Sequence, residues 1–232
     1  MNEILVLVVA LLPSILLGIY IWWKDPQKEP LIWLVKSFLI GCVICFPLAH
    51  IENIIELFLS HLISPYSIFS TPANAFFVAA IPEEGIKLLA LWILLQRNPF
   101  FDEHIDGIVY AVFIGLGFAA VENVFYLFNT ENWISTAIVR SLLAVPGHYA
   151  FAVLMGYYYS LYYFVERTKR HALCIFFVPV MIHGIYDSLA MSGNINPYVG
   201  FICFFILIFF CVRIHLIATK KTQTMINKDL RK

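Results

Sequence analysis

Four short motifs in this sequence set ionisable side chains in apolar surroundings, at spacings that could do chemistry. Pro82-Glu83-Glu84-Gly85-Ile86-Lys87 places Glu83 and Lys87 four residues apart on one helical face, where they can pair, and leaves Glu84 on a neighbouring face. Gly115-Leu116-Gly117-Phe118-Ala119-Ala120-Val121-Glu122-Asn123 combines small residues, which let helices approach closely, with a carboxylate one turn beyond Phe118 and no basic residue beside it. Pro146-Gly147-His148 supplies one histidine. His183-Gly184-Ile185-Tyr186-Asp187 supplies another, with a carboxylate one turn away that can fix its tautomer and orientation. Hydrolysis of a peptide bond needs an activated water, a base for its proton, an acid for the leaving amine and a cation or donor for the oxyanion. Carboxylates and imidazoles together can supply all of these, with or without zinc.

Each motif alone also has a structural reading. Glu83 with Lys87 can be a neutralised fastener between helices, and His148 can be a satisfied buried imidazole. The coincidence of four such motifs favours a site. Other polar groups read as structural. His50, Glu52 and Glu56 could join the site or bind a cation, but they lie near the end of an apolar stretch and read rather as interfacial, while Asp102, Glu103, His104 and Asp106 read as a solvated loop with Asp106 capping the next helix. Tyr157, Tyr158, Tyr159, Tyr162 and Tyr163 read as an interfacial aromatic belt. Cys42, Cys45, Cys174, Cys203 and Cys211 all sit in apolar runs and read as core residues, not as a zinc knuckle or a disulfide frame.

The elements that must position these motifs follow from composition. Of 232 residues, 61% are hydrophobic and 13% charged, with a mean hydropathy of +0.84. Such a chain is not a water-soluble globule, a disordered tail or a disulfide scaffold; it reads as a polytopic membrane protein whose immediate partner is the lipid bilayer and not nucleic acid. Hydropathy marks seven apolar stretches, at 4–23, 31–50, 75–95, 107–128, 134–164, 173–192 and 198–217. Only helices or a closed barrel satisfy the backbone in lipid, and stretches without period-2 alternation exclude the barrel. The expected fold is therefore an all-α transmembrane bundle of about seven spans.

The first stretch lacks a basic leader and a small-residue cleavage site, so it reads as an uncleaved span with its N-terminus outside. The basic residues agree. Lys24 and Lys28, then Arg97, then Arg167, Lys169 and Arg170, and finally the group from Arg213 to Lys232 all fall on the cytoplasmic side of such a topology, leaving Lys36, Lys87 and Arg140 within or near the spans. Arg140 reads as a marker of the outer interface. The connection 51–74 is expected to be outer and partly amphipathic, with room for an extra re-entrant segment. The domain expected is a single membrane unit, 1–217, followed by a basic cytoplasmic tail, 218–232. At about 1.5 Å per residue, Glu83, Glu84, Glu122 and His183 would lie roughly 9 to 14 Å below the outer surface, and a helix break at Pro146 would bring His148 level with them.

Taken together, Glu83-Glu84 with Lys87, Phe118 with Glu122, His148, and His183 with Asp187, in that order, resemble the PrsW family of intramembrane proteases. Phe101-Asp102-Glu103-His104 before Asp106-Gly107-Ile108-Val109-Tyr110, and Lys28-Glu29-Pro30, are similar to that family too, and the similarity covers essentially the whole chain. The resemblance implies a multi-pass protease of the bacterial plasma membrane, making the first, extracytoplasmic-side cut in a single-span regulator such as an anti-sigma factor. It implies catalytic roles for Glu83, Glu84, Glu122, His148 and His183, with Lys87, Asn123 and Asp187 supporting them. The wider clan includes the type II CAAX prenyl endopeptidases and bacteriocin-immunity membrane proteins, which typically carry His in place of Glu122, Arg in place of Lys87 and often Asn in place of Asp187. Two mechanisms stay open. A zinc enzyme would use His148, His183 and Glu122 as ligands with Glu83 or Glu84 as base, whereas a metal-free enzyme would have a glutamate activate water directly. The three available ligands favour the metal. An ion-coupled transporter using the same carboxylates, or a non-catalytic sensor or immunity protein on the same scaffold, are the alternatives; the transporter lacks the paired broken helices or visible repeat expected of it.

Overall fold

The structure, a computed structural model, describes residues 3–194 and 196–231. Among the described residues there is no strand, and helices account for nearly everything: α1 (Glu3–Lys24), α2 (Leu31–Leu62), α3 (Ser70–Ala73), α4 (Ile81–Gln96), α5 (Asp106–Phe128), α6 (Trp133–Val139), α7 (Val145–Ser160), α8 (Lys169–Ala190) and α9 (Pro197–Asp229). Three wider π-helical segments, Asn74–Ala80, Arg140–Ala144 and Leu161–Val165, bridge α3 to α4, join α6 to α7 and extend α7.

Six helices among the described residues are long and apolar enough to cross a bilayer, against seven apolar stretches in the sequence. The difference lies at 70–96, where the helical path is continuous but divided into α3, a π segment and a 16-residue α4. The second stretch runs further than hydropathy indicates, to Leu62, so most of the expected outer connection is helix and only 63–69 is not. The last helix continues through 218–229, with Ala218, Thr222, Met225 and Ile226 buried.

The centre of the bundle is α5, whose buried residues extend around its whole circumference from Asp106 to Ala120. Glycines make that position possible. A Cβ at Gly117 would fall on the backbone carbonyl of Phe38, and one at Gly41 on that of Ile114, so α2 and α5 cross with their backbones touching. Gly107 and Gly156 do the same for α5 and α7. In lipid, where apolar burial gives no net drive between helices, such close approach maximises dispersion contacts. Leu16, Val43 and Phe205 face outward, each more than half exposed, as expected of a lipid-facing surface. The tyrosine belt is only partly outside: Tyr163 is exposed, but Tyr157 and Tyr159 are buried in the core beside α5.

Candidate active site

Two of the site motifs are delivered by the same local device. A proline at the second position of a helix has no N–H to donate, and its ring presses on the carbonyl one turn back. At both Pro82 and Pro146 the preceding turn is a π segment, Asn74–Ala80 or Arg140–Ala144, in which the wider turn relieves that conflict. Pro146 therefore does not break the helix, as its sequence suggests it should; the widened turn absorbs it. Glu83 and Glu84 follow Pro82 directly, and His148 follows Pro146 by two residues. On α8, Gly184 leaves room for the Phe76 ring of the first π segment, which lets His183 approach α4.

The eight residues singled out in the sequence join one network in the bundle. The Lys87 ammonium lies 2.8 Å from Glu83 Oε2 and 2.9 Å from Glu84 Oε1, and 3.3 Å from His148 Nδ1. Its charge also rests over the Phe118 ring, 4.1 Å from the centroid. His148 Nε2 is 2.8 Å from Glu122 Oε2. His183 Nδ1 is 3.0 Å from Glu84 Oε1, and its Nε2 is 3.2 Å from Asp187 Oδ2. The two imidazole rings meet edge to face with centroids 5.3 Å apart, and Phe151 stacks on His183 at 4.7 Å. Glu83, Glu84, Lys87, His148 and His183 are all at least 95% buried.

Each histidine has a carboxylate at Nε2, but the partners of their Nδ1 atoms differ. A carboxylate only accepts hydrogen bonds, so Glu122 fixes the His148 proton on Nε2, and the Lys87 ammonium donates toward the free pair on Nδ1. At His183 carboxylate oxygens lie beside both nitrogens, Asp187 Oδ2 at Nε2 and Glu84 Oε1 at Nδ1, so each nitrogen faces an acceptor, and a metal on Nδ1 would take the place of the proton shared with Glu84. Such carboxylate–imidazole pairs fix the tautomer and orientation of a ligand or base.

One residue of the network was not read as part of it from sequence. Arg140 lies beside Glu122, with Nη2 3.0 Å from Glu122 Oε2 as an ion pair, and its Nε donates to Asn123 Oδ1 at 2.6 Å. Asn123 in turn donates to the Ala10 carbonyl of α1 at 3.2 Å, so it faces away from the histidines. The only sequence signal for Arg140 is a lone cation at the end of an apolar stretch. The weaker candidates divide: His50 and Glu56 are exposed, while Glu52, half-buried, lies one turn beyond the buried Leu48 on α2.

The expected solvated loop at Asp102–Asp106 is instead packed. Glu103, His104 and Asp106 are buried, and Asp106 Oδ2 accepts from the backbone N–H groups of Asp102 and Glu103, which precede it, so it is not an N-cap of α5. His104 bonds Asp229 at the end of α9, Gln27 donates to Glu103, and Tyr110 donates to Glu29. Burial raises the Asp25 carboxyl to about 6 and Glu29 to about 7. This cluster lies at the opposite end of α5 from Glu122, sixteen residues and about 24 Å along the axis.

The donor set suits a metal ion. One atom each from Glu83, His148 and His183 can be chosen so that all three lie within 4.8 Å of one another. Glu83, Glu84, Glu122 and Asp187 bring four carboxylates against the two permanent cations Lys87 and Arg140, so neutral histidines leave two negative charges for a divalent ion to balance. Glu84 Oε2 is buried and has no hydrogen-bond partner among the described residues, an oxygen still able to accept. The candidate ligand group contains Glu83, whereas the sequence reading named Glu122, which here lies on His148 Nε2.

The comparisons agree with this chemistry. The profile of a family described as "PrsW family intramembrane metalloprotease" matches residues 29–213. The chain is 35% identical over 183 residues to Protease PrsW of Geobacillus kaustophilus, covering 78% of this chain and 77% of that one. It is 34% identical over 198 residues to Protease PrsW of Bacillus subtilis, with 83% and 86% covered, and 29% identical to that of Oceanobacillus iheyensis over 96% and 99%. No solved structure matches. The chain thus belongs to the PrsW family: it is a membrane-embedded peptidase and a multi-pass bacterial membrane protein, which sets aside the transporter and non-catalytic readings.

Proposed function

We propose that this member of the PrsW family is a zinc-dependent endopeptidase that hydrolyses a peptide bond in a single-span membrane protein. Carrying this reading is the buried group of Glu83, His148 and His183, with Glu84 and Lys87 beside it. We assign Glu83, His148 and His183 as ligands; Glu122 instead orients His148, as Asp187 orients His183. When bound, the zinc would lower the pKa of water and polarise the scissile carbonyl. Glu84 accepts the proton of the attacking water at Oε2 and returns it to the leaving nitrogen as the C–N bond breaks. Lys87, held between Glu83 and Glu84, supplies positive charge near the developing oxyanion. Phe118 and Phe151 keep water from the ammonium and from His183.

The family resemblance supports an anti-sigma factor as substrate and an initial cut on the extracytoplasmic side. The distribution of lysines and arginines supports the matching topology, N-terminus outside and C-terminus in the cytoplasm. The test is cleavage of single-span substrates in proteoliposomes, with the cut bond located by mass spectrometry. Wild type is expected to cut near the outer end of the substrate span, and Glu84→Gln to be folded and lose activity by at least 100-fold. Undiminished cleavage by Glu84→Gln would overturn the assignment of the base.

A further inference from the structure

Among the described residues, Arg140 is the one cation near the site that the proposed reaction does not use. Its guanidinium lies against a patch of α5: it pairs with Glu122, donates from Nε to Asn123 Oδ1, and rests 3.9 Å from the centroid of the Tyr126 ring. A planar, forked cation can engage three such neighbours at once, which a lysine cannot do in the same geometry. The atom that Arg140 pairs with, Glu122 Oε2, is also the acceptor for His148 Nε2.

The backbone explains how one oxygen reaches both. Arg140 opens the π segment Arg140–Ala144, and His148 lies eight residues on, in the first turn of α7. At 3.6 residues per turn, eight residues would leave the two side chains about 80° apart around the axis. The i-to-i+5 turns rotate less per residue and bring them toward one face. Asn123, held from the other side by the Ala10 carbonyl of α1, anchors the guanidinium to the bundle.

We propose that Arg140 is a positioning residue: it fixes the Glu122 carboxylate so that His148 is held with Nε2 on Glu122 and Nδ1 turned to the Lys87 side of the site, where Glu83 also lies. This rests on the assignment of His148 as a zinc ligand. The prediction is that Arg140 acts through Glu122 and not by itself.

The test compares wild type, Arg140→Lys, Arg140→Gln, Glu122→Gln and the double variant Arg140→Gln/Glu122→Gln in proteoliposomes. It measures zinc affinity by chelator competition, and kcat and KM on a cleaved reporter. Arg140→Gln should lower zinc affinity and kcat roughly tenfold or more, the scale for groups that orient a ligand histidine, with KM unchanged. Arg140→Lys should fall between it and wild type. The double variant should be no worse than Glu122→Gln alone. Wild-type zinc affinity and kcat in Arg140→Gln would overturn the proposal, as would a double variant whose loss is the product of the two single losses. If Arg140→Gln fails to fold, Arg140→Lys decides: wild-type values overturn the proposal and a partial loss upholds it. Absence of zinc binding by wild type would defeat the metal reading itself, and this inference with it.

Discussion

Lys87 is the residue on which the electrostatics of the site turn. Its ammonium is within 3 Å of an oxygen on both Glu83 and Glu84, all three groups are buried, and the Phe118 ring covers it. Removing one partner of a buried ion pair leaves the other uncompensated, at a cost of about 3–5 kcal/mol. Lys87→Met should therefore destabilise the protein by about that much in denaturant titration, in addition to slowing cleavage. Unchanged stability would show that the carboxylates find another counter-charge. Glu84→Gln, in contrast, leaves Lys87 with Glu83 and should cost activity with little loss of fold. The residues of this centre were legible because their spacing is local: Glu83 with Lys87 and His183 with Asp187 are each one helical turn apart, and ionisable groups stand out in apolar runs. Arg140 was not legible as a site residue. Its partner lies on another helix, and hydropathy assigns a cation at the end of an apolar stretch to the interface.

Among the elements, the two proline-linked π segments do most of the positioning. Sequence shows Pro82 and Pro146 as interruptions but does not show whether the chain breaks, kinks or widens there, because that depends on what the neighbouring helices demand. Here the widened turns keep both helices continuous while turning Glu83, Glu84 and His148 inward. Pro146→Ala restores a backbone donor and should let the Arg140–Ala144 segment tighten toward an α-helix, rotating His148 relative to Glu122. The expected result is a fall in kcat of at least tenfold with the thermal midpoint unchanged or raised. Wild-type kcat would mean that neighbouring helices, not the proline, hold the wide turn. The glycines of α5 were legible as close-packing residues, whereas their partners were not. Which helix meets Gly117, and that Gly41 completes the crossing, depends on tertiary arrangement alone.

At the scale of the whole molecule, the polar groups separate into two ends of one bundle. One end holds the Glu, Lys and His network, and the other the packed acidic cluster that ties the α1–α2 connection and the loop before α5 to the end of α9. The all-α membrane architecture was legible from composition and hydropathy, because backbone satisfaction in lipid leaves few alternatives. The packed cluster was not, since a run of charged residues between apolar stretches looks the same whether water or another helix end covers it. Its burial has a consequence for pH. Asp25 and Glu29 are raised to about 6 and about 7 from ordinary values of 3.8 and 4.5, so the folded state binds more protons than the unfolded one. Their contribution to stability is present in full below about pH 4 and is lost as pH rises through about 6 to 7. Wild type in detergent should therefore have a higher thermal midpoint at pH 5 than at pH 8, and Glu29→Gln should narrow that difference; an equal difference in the variant would contradict it. For the molecule as a peptidase, the most direct test is cleavage of a single-span substrate by protein stripped of metal with a chelator, then supplied with zinc, beside His183→Ala. Activity should disappear on stripping and return with zinc in wild type but not in His183→Ala. Undiminished cleavage by wild type, with its metal content confirmed to be far below one ion per chain, would contradict the zinc-dependent mechanism.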